Sequence, residues 1–192
     1  MPPVDWDQFR EAAEVKPLNP FYSLFEPYLP SRGHALDLGC GTGRGTVWLS
    51  ERGFTVDAVD NDETSLRICR ERTRFLEGAQ VHDSSFSDFQ FGKYDVVLAL
   101  FSVFFVPPPV FIELWPRLVG SINPDGLFAG QLIGPHDDWA DESSTSHTRE
   151  EVDRLFVGFE FEHIDEVERD GKAVWGDPKH WHVFHIVARK IE

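Results

Sequence analysis

Ala35-Leu36-Asp37-Leu38-Gly39-Cys40-Gly41-Thr42-Gly43-Arg44-Gly45 is the stretch on which the reading of this chain turns. A short apolar run, Ala35 to Leu38, ends in glycines and passes into a helical segment from about Arg44 to Arg52, which stops at Gly53, a natural C-cap. That is a buried strand turning into a helix. Glycine at such a turn takes up positive φ and lets the backbone approach a ligand closely. Open α/β sheets hold their ligands at this place, beyond the carboxyl ends of the strands and near the switch point.

On the C-terminal side the alternation continues. Phe54–Val59 reads as a strand, Asp62–Arg74 as a helix, Gln80–His82 as a short strand, Tyr94–Leu100 as an apolar strand and Val110–Val119 as a helix despite Pro116. Asn123-Pro124-Asp125-Gly126 reads as a turn before the strand Leu127–Ile133, and Pro107-Pro108-Pro109 as a break between two helical pieces. Strands and helices that alternate make a parallel, doubly wound sheet, and nearly continuous apolar strands belong under helices on both faces. The last third differs. Thr148-Arg149-Glu150-Glu151 is a capping box opening a short helix, and Phe159–Val167 and Trp181–Ala188 are strands with no helix between them, hence an antiparallel pair joined by a loop, Glu168–Lys179. On the N-terminal side, Asp7–Val15 and Phe21–Tyr28 read as two helices of a cap. The expected fold is α/β: Rossmann-like, doubly wound, with a mainly parallel seven-stranded sheet and an antiparallel strand near the C-terminus.

Composition bounds the function. The chain has 192 residues, 41% of them hydrophobic, enough for one α/β domain with a sizeable core. No apolar run reaches the roughly 20 residues that span a bilayer, and Met1–Asp7 has neither a basic nor an apolar signal-peptide region, so a membrane role is not expected. Cys40 and Cys69 form no CxxC pair, which suits a reduced, cytoplasmic protein with no metal centre. The net charge of −15 repels phosphate backbones and argues against nucleic acid as a partner.

The glycine loop does not match the common nucleotide signatures. The dinucleotide fingerprint G-x-G-x-x-G meets Arg44 at its last position when started at Gly39, and Thr46 when started at Gly41; no P-loop is present. Asp37, just before the loop, opposes a pyrophosphate but suits a cationic ammonium, and Arg44 at the helix start suits a carboxylate. Asp60 ends the second strand where an acid bonds ribose hydroxyls, with Asn61 beside it; Asp83 ends the third strand, next to Ser84, and is placed to accept from an adenine amino group; Ala99 and Leu100 end the fourth and flank the same space. Three acids at three successive strand ends make one constellation.

Leu36-Asp37-Leu38-Gly39-Cys40-Gly41-Thr42-Gly43 resembles the first motif of class I S-adenosylmethionine-dependent methyltransferases; Val59-Asp60, His82-Asp83 and Tyr94-Asp95-Val96-Val97 resemble the motifs that follow. Gly41-Thr42-Gly43-Arg44 and the chain length resemble the tellurite-resistance-like members, though Gly45 stands where that group often has Asn. The resemblance implies a methyl donor, S-adenosylmethionine, yielding S-adenosylhomocysteine. Asp37, Gly39, Cys40, Gly41, Gly43, Arg44, Asp60, Asn61, Asp83, Ser84, Ala99 and Leu100 are its expected contacts. It also implies one domain: residues 1–32 as helical cap, 33–133 as donor half and 134–192 as acceptor side.

The expected acceptor is a small molecule; a donor-binding protein without turnover, or a protein or RNA methyltransferase, are the alternatives. Candidate acceptor contacts are Tyr22, Phe101, Phe104, Asp138 and Trp139. Because the sulfonium is already activated, positioning supplies most of the catalysis, and a base is needed only for a protonated acceptor. His136 and His182 are the candidates for that role on their near-neutral pKa alone. The expected acceptor loop, Pro135-His136-Asp137-Asp138-Trp139-Ala140-Asp141-Glu142, is acidic and speaks against an anionic acceptor.

Overall fold

The computed structural model describes residues 5–191. Met1–Val4, part of the stretch searched above for a targeting signal, lies outside the described residues, as does Glu192. Seven strands form one sheet in the order β3-β2-β1-β4-β5-β7-β6: β1 Gly33–Leu38, β2 Phe54–Asp60, β3 Ala79–Asp83, β4 Tyr94–Ala99, β5 Ile122–Ile133, β6 Phe159–Lys172 and β7 Pro178–Lys190. β1 to β5 pair in parallel, and β7 enters antiparallel between β5 and β6. The chain thus has the expected Rossmann-like fold.

Helices cover both faces. On one side α2 (Phe21–Phe25), α3 (Arg44–Ser50) and α4 (Glu63–Thr73) pack through Phe25, Trp48, Leu49, Leu66 and Cys69 onto Ala35, Val56, Ala58 and Leu98. On the other, α5 (Pro108–Ser121) and α6 (Arg149–Leu155) bury Phe111, Leu114, Trp115, Leu118 and Val152 against Leu36, Val97, Phe128, Phe184 and Ile186. Neighbouring strand residues face opposite layers, which is why the strands read as unbroken apolar runs. Local chemistry starts the helices as well: Asp62 caps α4 by accepting from the Ser65 amide at 2.7 Å, and Thr148 and Glu151 close a capping box on α6. Among the described residues no helix is long and apolar enough to cross a membrane.

Three local readings change. Pro107-Pro108-Pro109 opens α5 rather than dividing two helices: Pro107 is its N-cap and Pro108 its first residue, where a missing N–H costs nothing. Asn123–Gly126 does not precede β5 but loops out within it, since Tyr94 pairs with Ile122 and Val96 next pairs with Leu127. The β6–β7 connection is far shorter than Glu168–Lys179: ladder pairing runs on to Lys172 opposite Pro178, and the Ala173 amide closes the hairpin on the Asp177 carbonyl at 2.8 Å. The added part of β6, Glu168-Arg169-Asp170-Gly171-Lys172, is polar on both faces because it is a solvated edge, so no apolar alternation marks it.

Candidate active site

β1, β2 and β4 deliver their C-terminal ends to one cleft with two joined lobes. The first, about 430 Å³, is lined by Gly39, Gly41, Thr42, Asp60, Asn61 and Phe86. The second, about 490 Å³, is lined by Tyr22, Asp37, Arg44, Gly45, Trp139 and Trp181. Leu100 and Phe101 line both. Phe101 has φ 48°, strained for a non-glycine residue, and its amide donates to Gln131 Oε1 at 3.1 Å.

The glycine loop has the geometry its sequence calls for. Gly39, Gly41 and Gly43 have φ of 75°, 52° and 80°. A side chain on Gly39 would lie 2.2 Å from Ser102 Cβ, so this turn accepts only glycine on two counts. The Gly41 amide donates to Asp60 Oδ2 at 2.9 Å, and the Asn61 and Asp62 amides donate to Asp60 Oδ1 at 2.8 and 2.9 Å. Asp60 is thereby fixed between loop and strand end, facing the first lobe. Asp37 is buried and accepts from Thr46 Oγ1 at 2.7 Å. Burial raises its pKa to about 6; the Thr46 hydroxyl opposes the rise and the neighbouring Asp60 charge adds to it. Gly45 explains the departure noted above: a Cβ there would lie 2.8 Å from Asp37 Oδ2 and 2.9 Å from Tyr22 Oη. Glycine lets the buried acid and the cap tyrosine share one wall.

α1 (Trp6–Glu14) lies across the cleft mouth. Trp6, Phe9, Arg10 and Ala13 line the first lobe at the i, i+3, i+4, i+7 spacing of one helix face. Arg10 bonds Asp62 at 2.6 Å and also pairs with Asp7; Glu14 bonds Arg72 at 2.6 Å and accepts from the Thr42 hydroxyl at 2.6 Å. Arg44 is spent on this closure, donating to the Ala13 and Lys16 carbonyls at 2.5 and 2.8 Å rather than standing free for a carboxylate. On the other side Lys16 donates to the Val174 carbonyl at 2.5 Å, and Trp6 packs edge-on against Phe105 at 5.1 Å.

The second lobe is aromatic. Trp139 and Trp181 have ring centroids 5.1 Å apart, and Phe101 stands 6.0 Å from Trp181. Lys179 lies 4.2 Å from the centroid of each tryptophan and pairs with Asp137 beneath them, both side chains fully buried. The buried indole N–H of Trp139 has no partner among the described residues. The exposed charges around this lobe are Lys16 and Lys172. Of the run 137–142 only Trp139 lines it, and none of the run's carboxylates does.

Several expected contacts fall elsewhere. Asp83 and Ser84 line a separate groove with His34, Asp57 and His82, and the cleft wall at that strand end is Ser85, Phe86 and Ser87. Gly43, Ala99 and Cys40 are shaping residues: Gly43 abuts Cys69 Sγ, Ala99 is fully buried, and Cys40 packs with Cys69 and Leu66 at the edge of the second lobe. Phe104 is core, packed on Ile133, Trp139 and Val183. Asp138 is exposed and accepts from the His180 amide at 2.7 Å. His136 and His182 line neither lobe, so the geometry gives them no contact with a reacting atom there. Sequence reading missed Thr42, Trp181 and the α1 face; the last was legible as the stripe Trp6, Phe9, Arg10 and Ala13.

Residues 35–126 match the family model described as a methyltransferase domain. Among curated relatives, the carboxy-S-adenosyl-L-methionine synthase of Campylobacter lari is 29% identical over 57% of this chain and 51% of its own length. The YqeM protein of Bacillus subtilis is 30% identical over 64% of this chain and 59% of its own. The chain therefore spans only about half to three-fifths of these relatives. Among solved structures, TehB from Haemophilus influenzae superposes with a TM-score of 0.70 at 18% identity, over 99% of this chain and 63% of that one, a likeness of fold.

Proposed function

We infer, on the premise that the chain belongs through residues 35–126 to the class I S-adenosylmethionine-dependent methyltransferases, that it transfers the sulfonium methyl of S-adenosylmethionine to a small acceptor in the aromatic lobe. One observation carries this reading: the two lobes share Gly39, Gly41, Thr42, Leu100 and Phe101, so a donor with its nucleoside in the first and its methionine part against Asp37 on the glycine-loop side of the second would present its methyl toward the aromatic walls. Asp60 and Asn61 would hold the ribose, Phe86 would pack on the adenine, and the Gly39–Gly41 backbone with Asp37 would hold the methionine part. The relatives' names differ in reaction, and the family match covers residues 35–126, so the acceptor is read from this chain's own walls.

Those walls suit a small, planar acceptor that places an anionic or hydrogen-bond-accepting substituent near Lys172 or the Trp139 N–H. Transfer is an in-line displacement: the acceptor's lone pair forms the new bond to the methyl carbon as the methyl–sulfur bond breaks, leaving neutral S-adenosylhomocysteine. Holding the two at near-attack distance would supply most of the acceleration. Both cysteines are free, in keeping with a reducing, cytoplasmic setting. Calorimetric titration with S-adenosylmethionine and S-adenosylhomocysteine tests the donor site: micromolar binding by the wild type is expected, and no binding by folded protein sinks the reading. With an acceptor found by screening, Trp181→Ala should raise its KM about tenfold and leave donor affinity within twofold, the loss of one well-packed aromatic contact being worth roughly 1–2 kcal/mol.

A further inference from the structure

On the sheet face turned away from the cleft, three chain segments bring two imidazoles and a carboxylate together. β7 alternates: Trp181, Val183 and His185 face the aromatic lobe side, while His182, Phe184 and Ile186 face the other layer. Glu168 on β6 is the ladder partner of His182, and His136 comes from the loop after β5. One donor atom from each of the three lies within 4.8 Å of the others. Glu168 Oε1 is 2.9 Å from His136 Nδ1, and Glu168 Oε2 is 3.9 Å from His182 Nδ1.

We propose that His136, Glu168 and His182 bind a divalent transition-metal ion of the zinc type. Ligand atoms about 2.1 Å from a tetrahedral zinc are about 3.4 Å apart, so the present separations need only small side-chain shifts. His182 is set up as a ligand. Its Nε2 lies 3.0 Å from Glu166 Oε1, which holds the proton on that nitrogen and leaves Nδ1 the unprotonated one, the carboxylate–histidine arrangement that supports metal ligands; Nδ1 accepts a long bond from the His136 amide at 3.4 Å, which the ion would replace. Its ring occupies the space a side chain on Gly134 would fill, 2.3 Å from the Cβ position, so glycine is what admits it. His136 and Glu168 are exposed, which gives the ion an entry path and leaves its remaining positions to water. His180 is engaged with Asp170 at 2.7 Å and lies 3.5 Å from Glu168, close enough to complete the set by a rotation. Imidazole and carboxylate without thiolate favour zinc, cobalt or nickel over copper(I) or iron–sulfur centres. The ion would tie the loop that carries Trp139 to the hairpin that carries Trp181, the two walls of the aromatic lobe.

Sequence spacing hid this set, because its members come from a loop and two strands that only the ladder brings together. The test uses the full chain stripped of metal by chelator. Cobalt(II) titration should give visible d–d bands saturating at one equivalent, without a near-ultraviolet thiolate band that would place the ion on Cys40 and Cys69. Zinc calorimetry should give a micromolar or tighter Kd and a raised Tm. His136→Ala and Glu168→Gln, both at exposed positions, should each weaken zinc at least tenfold with unchanged metal-free Tm, while His34→Ala, in the separate groove, should leave it within twofold. Absence of stoichiometric binding by folded protein, a thiolate band, or binding that survives both cluster variants would overturn the proposal.

Discussion

In the proposed donor site Asp60 and Asp37 would divide the work of holding a cationic, sugar-bearing donor, and their surroundings predict different behaviour. Asp60 is fixed by three backbone amides, so Asp60→Ala removes an ordered acceptor of ribose hydroxyls. A charged hydrogen bond of about 1.5–3 kcal/mol corresponds to a roughly ten- to hundredfold loss of donor affinity by calorimetry. Asp37 is a titration. Its raised pKa of about 6 leaves it partly protonated in mildly acidic solution. The donor's ammonium needs the carboxylate, so S-adenosylmethionine affinity should fall as pH drops through 6, by up to about tenfold per unit, and Asp37→Asn should flatten that dependence. Stability runs the other way. An acid whose folded pKa is raised costs stability as pH rises from its ordinary value through about 6. The ligand-free Asp37→Asn variant should therefore melt above wild type at pH 8 and level with it at pH 4, as scanning calorimetry would show.

At the scale of elements, α6 offers a plain check: breaking its capping box with Thr148→Ala should cost about 1 kcal/mol in urea unfolding and leave donor affinity unchanged. Elements were legible wherever their own residues carried the signal. The glycine turn, the Thr148 box and the apolar β1, β2 and β4 needed nothing beyond local chemistry. β6 beyond Val167 was not legible, because an edge strand of Glu, Arg and Asp owes its shape to pairing with β7. Asp83 was read from its place at a strand end, and it does stand beside Asp60 in the ladder, yet the chain turns so that Ser85 and Phe86, not Asp83, reach the cleft. Arg44 sits where expected, but α1 takes up its guanidinium. A side chain's partner from a distant element is the part a linear reading does not contain.

For the whole molecule, the net charge of −15 bears on encounter more than on holding. S-adenosylmethionine carries one net positive charge and S-adenosylhomocysteine none, so the field should draw in the first alone. Stopped-flow association of S-adenosylmethionine should slow several-fold between about 20 mM and 500 mM salt, as the screening length shrinks from roughly 20 Å to under 5 Å, while that of S-adenosylhomocysteine should barely change. Equal salt dependence for both would mean that the acidity serves solubility only.

The clasp of α1 over the first lobe has a further consequence. Its own ties run to Asp62, Arg72 and Thr42, and Lys16, just past its end, reaches Val174 on the far hairpin, so the segment 6–16 is latched at both banks of the cleft. Phe9 and Ala13 line the aromatic lobe as well as the first, so a nucleoside held beneath the helix as proposed is expected to exchange only when the latch lifts. In the proposed reaction, release of the spent nucleoside rather than bond-making is then expected to set the pace of turnover.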